Sequence, residues 1–420
     1  MKSHYHIAIV GAGAGGIMTA AQLKKERPDW KITIVDPSSF HHYQPAYTLV
    51  GAGTFDMKET QRPTKDIIPR GVNWIKDSVT IIHPEENRLT TASSGDLSYD
   101  FLVLSPGVIY DYDAIPGLRE AMEKGIVCSN YTDPELTWRN VSTLNKGRAI
   151  FTAPATPIKC GRAPQKAAYI SSDYWRKNGQ LGDIEVLMPL PGSVLFGVTQ
   201  IRETLEKVVE RYGIHFIPKM IPILIDAQHQ TVTFSFSGTD EEWEAVKLNP
   251  EFKEASFREK EFTLHFDFLH LAPPQRAPYF LTESGLTNAQ GWIDVDQYTL
   301  QHNNYKNIFA IGDAAALPTA KTGAAIRKQV PVVLSHLIEL ERSGNISAKR
   351  YDGYSSCPLV TAYGKMVLAE FNYKNEFTPD PKLKFMLIFK SYKERWMLWI
   401  LKKYILPFLY WTRMMKGKQV

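Results

Sequence analysis

The first forty positions alternate between apolar runs and polar breaks in an order that specifies a single unit. Tyr5 to Val10 (Tyr-His-Ile-Ala-Ile-Val) is a short, nearly continuous apolar run and predicts a buried strand. Gly11-Ala-Gly13-Ala-Gly-Gly16 follows at once, then a helix to about Glu26, then a second strand from Lys31 to Asp36. Two later runs predict further strands of the same sheet: Tyr99 to Leu104, leading into Ser105-Pro-Gly107, and Asn307 to Ile311, leading into Gly312-Asp313. Asp183 to Leu187 predicts a strand that opens a second α/β unit.

The first unit has the full context of a dinucleotide site, because strand, glycines, helix, strand and acid arrive in sequence. Gly11 and Gly13 allow a tight turn and close backbone approach to a pyrophosphate. The helix start supplies free N–H groups, and Asp36, 20 residues after Gly16, is placed to accept from ribose hydroxyls. The second unit lacks this apparatus. Its strand continues Met-Pro-Leu-Pro-Gly-Ser-Val-Leu-Phe-Gly197 with no Gly-x-Gly-x-x-Gly, and Pro189 and Pro191 spoil the expected strand-to-helix turn. A second nucleotide such as NAD(P)H is therefore a poor candidate for the electron donor. The charged stretch from Gly238 to Glu261 is read as a solvated excursion at the domain edge.

The end of the chain changes character. Residues 381–420 contain ten Lys or Arg against Glu394 alone, a net +9 that leaves −4 for residues 1–380. Lys382 to Leu406 is read at helical spacing, with Ser391, Arg395 and Lys402 on one face. Phe385, Phe389, Tyr392, Trp396, Trp399 and Ile400 lie on the other, and Pro407 is expected to end or kink the helix. A basic, aromatic helix of this kind suits an anionic membrane surface rather than nucleic acid. No run of 18 uncharged apolar residues is present, so a spanning helix is not expected.

Composition narrows the remaining classes. With 420 residues, 44% hydrophobic and 22% charged, this is an ordinary folded chain of two or three domains. Three cysteines, Cys128, Cys160 and Cys357, are too few for a disulfide framework and build no metal site by themselves. No apolar signal core precedes the first strand, which points to folding in the cytoplasm. A bound dinucleotide, no second nucleotide site, few thiols and a membrane-facing tail together fit transfer of electrons from a small soluble donor to a lipid-soluble acceptor.

Several uncommon strings carry a more specific likeness. They are Phe-His-His-Tyr-Gln-Pro45, Thr48-Leu-Val-Gly-Ala-Gly53, Arg62-Pro-Thr64, Pro157-Ile-Lys-Cys160 through Lys166, Gly291-Trp-Ile-Asp-Val-Asp296, Leu300-Gln-His302, Leu317-Pro-Thr319 with Lys321-Thr322, and Tyr351-Asp-Gly-Tyr-Ser-Ser-Cys-Pro-Leu-Val360. Over nearly its whole length the chain resembles the sulfide:quinone oxidoreductases of the type that includes the mitochondrial enzymes, within the FAD-dependent disulfide-reductase superfamily. The resemblance implies an α/β fold of two Rossmann-like three-layer domains. It places an FAD domain at 1–110 and 290–380, a vestigial nicotinamide-type domain at 111–289 and an amphipathic membrane-binding segment at 381–420.

What the resemblance implies for the site is equally definite. Cys160 and Cys357 match the two cysteines that work at the flavin, Cys160 on the flavin side and Cys357 as carrier of the persulfide. A sulfur bridge between two such thiols is opened by HS⁻ through exchange. Cys128 has no matching string and is expected to be dispensable. For FAD, the resemblance assigns Gly11, Gly13, Ala14 and Gly15 to the pyrophosphate, Asp36 to the adenosine ribose, Gln44 to the flavin-side path and Val79 to adenine through its backbone. Asp313 falls to the ribityl region and Lys321, Thr322, Gly323 and Ala324 to a helix start at the flavin pyrimidine.

The implied partners are hydrogen sulfide, ubiquinone or menaquinone, a small sulfur acceptor (glutathione, sulfite, coenzyme A or sulfide) and a membrane surface, with no nucleic acid. A peripheral protein on the cytoplasmic face of the inner membrane is expected. Two departures stand out. Ala314 replaces a thiol that mitochondrial relatives carry, and Arg162 adds a charge beside Cys160 that lowers its pKa or favours anionic acceptors. His41 and His42 are read as hydrogen-bonded structural histidines sooner than proton relays. The competing readings are a type II NADH:quinone oxidoreductase, a soluble disulfide reductase, and a silent flavin-binding membrane adaptor.

Overall fold

The computed structural model describes residues 4–249, 255–385 and 388–418. The N-terminal apolar run forms the centre of a five-stranded parallel sheet, ordered Ile308–Ala310, Phe101–Leu104, His6–Val10, Lys31–Val35 and Asn73–Ile75. Strands buried on both faces read as unbroken apolar runs, and Ile7, Ala8 and Ile9 are fully buried. One face is covered by the helices Ala14–Glu26 and Gly323–Ser343, which share a core of Ile17, Val330, Val333 and Leu337. A three-stranded meander over residues 79–98 packs beside the other face through Ile82 and Leu89.

A second five-stranded parallel sheet is built from Val127–Cys128, Phe268–Leu271, Gly147–Thr152, Ile184–Leu190 and His215–Pro218. The chain therefore holds two Rossmann-like parallel-sheet units. The strand predicted to stop at Leu187 runs on to Leu190 through Pro189. Its pairing with Gly147–Thr152 ends at Leu187, so the missing N–H of Pro189 breaks no bond on that side. Pro191 then opens a loop over residues 191–198, and the next helix waits until Thr199.

The segment 238–261 is more than a solvated excursion, although residues 250–254 lie outside those described. Thr239 caps the helix Asp240–Lys247 in a capping box with Glu242, and Trp243 is buried against Phe236 and Phe262.

Two elements join the units. The hairpin Ser355–Ala362 and Lys365–Phe371 turns Cys357, Leu359, Val367 and Ala369 toward the helix Ala163–Lys177. Its opposite face, Val360, Met366 and Leu368, meets Leu398, Trp399 and Leu401 of the tail.

The tail itself departs from the expected single helix. After the short turn Lys382–Phe385, whose Phe385 side chain is outside the described residues, a continuous helical run begins only at Trp396 and proceeds through a π turn at Leu401–Ile405 to Thr412. Pro407 lies inside this run rather than ending it. The π turn directly before Pro407 widens the backbone where the ring would otherwise press on the preceding turn. Among the described residues no helix is long and apolar enough to cross a membrane.

Candidate active site

The glycine loop closes against the end of the Phe101–Leu104 strand. Gly11 sits at φ +103, and a Cβ there would lie 2.2 Å from the Ser105 carbonyl oxygen, so only glycine fits. Around Gly13, by contrast, a Cβ would meet nothing within 4 Å. Gly13 caps the helix Ala14–Glu26 without a side-chain hydrogen bond, which leaves the first N–H groups of Ala14 and Gly15 available to an anion. Asp36 accepts from Ala12 N at 2.6 Å and from Ser38 N at 2.7 Å, holding the loop while keeping lone pairs for a ribose. These features fit a dinucleotide pyrophosphate.

The same end of the sheet gathers most of the other expected residues. Gln44 is exposed at the start of a 3₁₀ turn, and Val79 opens the meander. Lys321 is buried, donates to the carbonyls of Asp313 (2.6 Å) and Ala315 (3.0 Å), and lies 3.9 Å from the Trp292 ring centroid. Burial pushes its pKa down to about 8, and burial pushes Asp313 up against the pull of Lys159 and Lys321. Thr322 caps the helix Gly323–Ser343 by accepting from Ala325 N, with Gly323 exposed at its tip and Ala324 half-buried.

The segment around Lys321 and Thr322 also assembles the two thiols, which are 197 residues apart in sequence. Cys160 donates its N–H to the Lys321 carbonyl at 2.7 Å, within a bridge between Lys159 and Lys321. On the other side, Thr322 and Ser355 share a 2.8 Å hydroxyl hydrogen bond, and Ser355 begins the strand that carries Cys357. The Cys357 thiol hydrogen-bonds the Cys160 sulfur. Both are free thiols, Cys160 half-buried and Cys357 buried.

Electrostatics makes the pair unequal. The hydrogen bond from Cys357 holds Cys160 well below the ordinary thiol range, against the cost of burial. Lys166, whose Nζ is 2.8 Å from the Cys160 sulfur, adds to the effect. Cys357 is held well above that range by the neighbouring Cys160 and by burial. Cys160 is thus held toward the thiolate and Cys357 toward the thiol. Cys160 also adopts φ +50, a left-handed conformation unusual outside glycine, fixed by the Lys321 bond and by Tyr131, whose hydroxyl donates to the Cys160 carbonyl at 3.1 Å.

Lys402 is the residue the helical reading missed. It was placed on a polar face of the tail, yet it is 3% exposed and donates to the Pro45 carbonyl at 2.8 Å, within electrostatic reach of Lys166 and both cysteines. Burial and the Lys166 charge push its pKa down to about 7. Lys403 stands directly beside it, so nothing in the sequence marks Lys402 as the buried one of the two.

His41 lies between Ala12 of the glycine loop and Tyr410 of the tail, donating from Nδ1 to the carbonyl and accepting from the tyrosine hydroxyl at Nε2. Burial pushes its pKa down to about 4, as suits a neutral structural histidine. His42 is half-buried near Lys159, and its Nδ1 has no partner among the described residues. Cys128 is buried in the second sheet, donates weakly to the Leu269 carbonyl, and is pushed up to about 12 by burial. The structure does not bring it to the other two thiols. Among the described residues no cluster of metal ligands occurs.

Two Rossmann-like parallel-sheet units, the first opening on a glycine loop, are the architecture of the dinucleotide-dependent oxidoreductases, and the pyridine nucleotide-disulphide oxidoreductase family matches residues 5–150. The likeness then sharpens. The chain is 36% identical to the mitochondrial sulfide:quinone oxidoreductase of Mus musculus, over 99% of its own length and 87% of that protein's. It is 38% identical to the corresponding protein of Dictyostelium discoideum, over 100% and 87%. The solved sulfide:quinone oxidoreductase of Aquifex aeolicus shares the fold at a TM-score of 0.77 and 19% identity, covering 99% of this chain and 92% of that one. The chain belongs to the mitochondrial-type sulfide:quinone oxidoreductase family, whose members are FAD-dependent flavoproteins.

Proposed function

We propose that this protein oxidises hydrogen sulfide at Cys160 and Cys357 and passes two electrons through FAD to a membrane quinone. The observation that carries the reading is the pairing of Cys160 with Cys357, with the Lys166 ammonium 2.8 Å from the Cys160 sulfur and drawing it toward the thiolate. In turnover HS⁻ opens a sulfur bridge between the two. Attack at Cys357 leaves Cys357 as a persulfide and releases Cys160 as thiolate, the better leaving group because its anion is already stabilised. The outer sulfur then passes to a small acceptor such as glutathione, sulfite, coenzyme A or sulfide. Bound FAD supplies the two-electron acceptor that lets the cysteine bridge close again, and quinone reoxidises it.

Segments 1–110 and 290–380 form the FAD-binding unit and 111–289 the second unit. Gly11, Gly13, Ala14 and Gly15 meet the pyrophosphate, Asp36 the ribose and Val79 the adenine. Gln44, Asp313 and Lys321 through Ala324 hold the flavin half. Residues 381–420 bind the membrane surface peripherally. Trp396, Ile400, Tyr404 and Phe408 stand out from the tail helix at four-residue spacing, 37–67% exposed, with Phe389 nearby at 69%. Lys390, Lys393, Arg395 and Arg413 flank them.

An anaerobic visible spectrum of the yellow holoprotein tests the reading. Bleaching by sulfide and recovery with a short-chain quinone are expected, and Cys160→Ser or Cys357→Ser abolishes that turnover. Bleaching by NADH instead would restore the type II NADH:quinone oxidoreductase reading, and bleaching by neither would leave a silent flavin-binding adaptor.

A further inference from the structure

Arg162 stands at the N-cap of the helix Ala163–Lys177, two residues after Cys160. Its guanidinium carbon lies 5.3 Å from the centroid of Phe196, in the loop that replaces a glycine fingerprint after Ile184–Leu190. Other partly buried arginines have acid partners: Arg148 with Glu185, Arg211 with Glu394, Arg327 with Asp380. Arg162 has none among the described residues, and the groups whose charge it feels are Cys357 and Tyr169.

This is an unfavourable place for an unpaired cation. A helix N-terminus already carries partial positive charge. Lys166 and Lys402 bring two more ammonium groups to the same thiols, and the charge that offsets them comes from the Cys160 thiolate. Three buried side-chain atoms of the same helix, on Gln165, Tyr169 and Ser172, have no partner among the described residues. The Tyr169 hydroxyl is fully buried without a partner, and Gln165 donates to the Leu195 carbonyl at 2.9 Å while its own side-chain carbonyl is unpaired. The approach is open, since residues 155–157 and Gly161 are exposed and Arg162 is half-buried.

We propose that Arg162, backed by Phe196, is the specificity-determining residue of a sulfur-acceptor subsite at Cys357, and that it selects small acceptors bearing negative charge. The proposal rests on the function above. A guanidinium fork holds an oxyanion or carboxylate through paired N–H donors, which brings the acceptor's nucleophilic atom to the persulfide. The acceptor attacks the outer sulfur of Cys357–S–SH. The S–S bond breaks, its electron pair and the proton remain on Cys357 as thiol, and sulfite leaves as thiosulfate or a thiolate as its persulfide anion. No external oxidant takes part.

The test uses the holoenzyme with sulfide and a short-chain quinone, comparing three acceptors: sulfite, glutathione and the neutral thiol 2-mercaptoethanol. In Arg162→Gln the ratio of kcat/KM for sulfite to that for 2-mercaptoethanol is expected to fall roughly tenfold or more, through KM. Glutathione will follow sulfite if its carboxylates are what Arg162 holds, and will follow 2-mercaptoethanol if only a compact oxyanion is held. Arg162→Lys, which keeps charge but not the fork, should restore part of the ratio. In the unsubstituted enzyme, added salt should raise KM for sulfite and leave that for 2-mercaptoethanol in place. An unchanged ratio in Arg162→Gln, or equal salt response of the two acceptors, would overturn the proposal. Failure of sulfide to bleach the flavin would instead overturn the function on which it rests.

Discussion

The Lys166 ammonium lies 2.8 Å from the Cys160 sulfur, on a side chain only 2% exposed. Neither charge would be stable alone at such depth, because an isolated buried ion sheds or takes a proton. Burial by itself would depress Lys166, but the charge on Cys160 and then Cys357 holds it above its ordinary range. The two ions sustain each other.

Replacing Lys166 by Met should therefore return Cys160 toward an ordinary or higher thiol pKa. Alkylation of Cys160 by iodoacetamide at pH 7, followed by peptide mass spectrometry, is expected to slow by about 10- to 100-fold, with its pH midpoint moved upward. An unmoved midpoint would assign the ionisation to the Cys357 hydrogen bond alone.

Much of this arrangement was legible because it is local. His6–Val10, the glycines, Ala14–Glu26 and Lys31–Val35 fall within a residue or so of the expected bounds, since each is dictated by adjacent residues. The thiol pair was legible only through likeness to a family. What joins Cys160 to Cys357 is the Lys321 carbonyl, which accepts from Cys160 N, and the Thr322 hydroxyl bonded to Ser355, which neither neighbourhood in the sequence announces. The tail misled for a related reason. Helical spacing gives the angle between two side chains but not which angle has neighbours, so it sets Lys402 and Trp396 on opposite faces without telling that the lysine is the buried one. A π turn cannot be read from spacing either, and it keeps Trp396, Ile400, Tyr404 and Phe408 in one exposed line where a helix of about 3.6 residues per turn would let them drift.

That exposed line predicts membrane affinity directly. Trp396→Ser combined with Phe408→Ser should lower partition to vesicles containing anionic lipid by at least about tenfold, given roughly 1–2 kcal/mol for each large side chain withdrawn from the interface. Cosedimentation at low and high salt measures it. Retained binding would assign attachment to the basic residues alone.

Lys402 makes a prediction about stability. Its folded pKa, about 7, lies below its ordinary 10.5. Between those values the unfolded chain binds a proton that the folded one does not, so stability rises with pH across that window; below pH 7 both states are charged and the full penalty applies. Lys402→Met removes the penalty and also loses the Pro45 hydrogen bond, worth about 1 kcal/mol. The holoenzyme Tm should rise on substitution at pH 6 and the gain should shrink by pH 9.5. A gain that grew with pH would contradict the sign.

Tyr410 and His41 connect the tail to the nucleotide loop. Tyr410→Phe removes the proton donor to His41 Nε2 and leaves that nitrogen buried without a partner, at about 1–3 kcal/mol. His41 is itself a group with a folded pKa near 4 against an ordinary 6.5, so the unfolded chain takes up its proton first as the solution is acidified. Stability must fall from about pH 6.5 toward pH 4, with His270, also pushed down to about 4 by burial, adding to the slope. In Tyr410→Phe the vacated Nε2 can turn to an alternative partner only by releasing Nδ1 from the Ala12 carbonyl, which loosens the loop expected to hold the FAD pyrophosphate. Flavin fluorescence on release should therefore appear at lower temperature, and at higher pH during acid titration, than in the unsubstituted protein. Equal release curves would show that the tail and the nucleotide loop are mechanically independent, and that His41 only fills space between them.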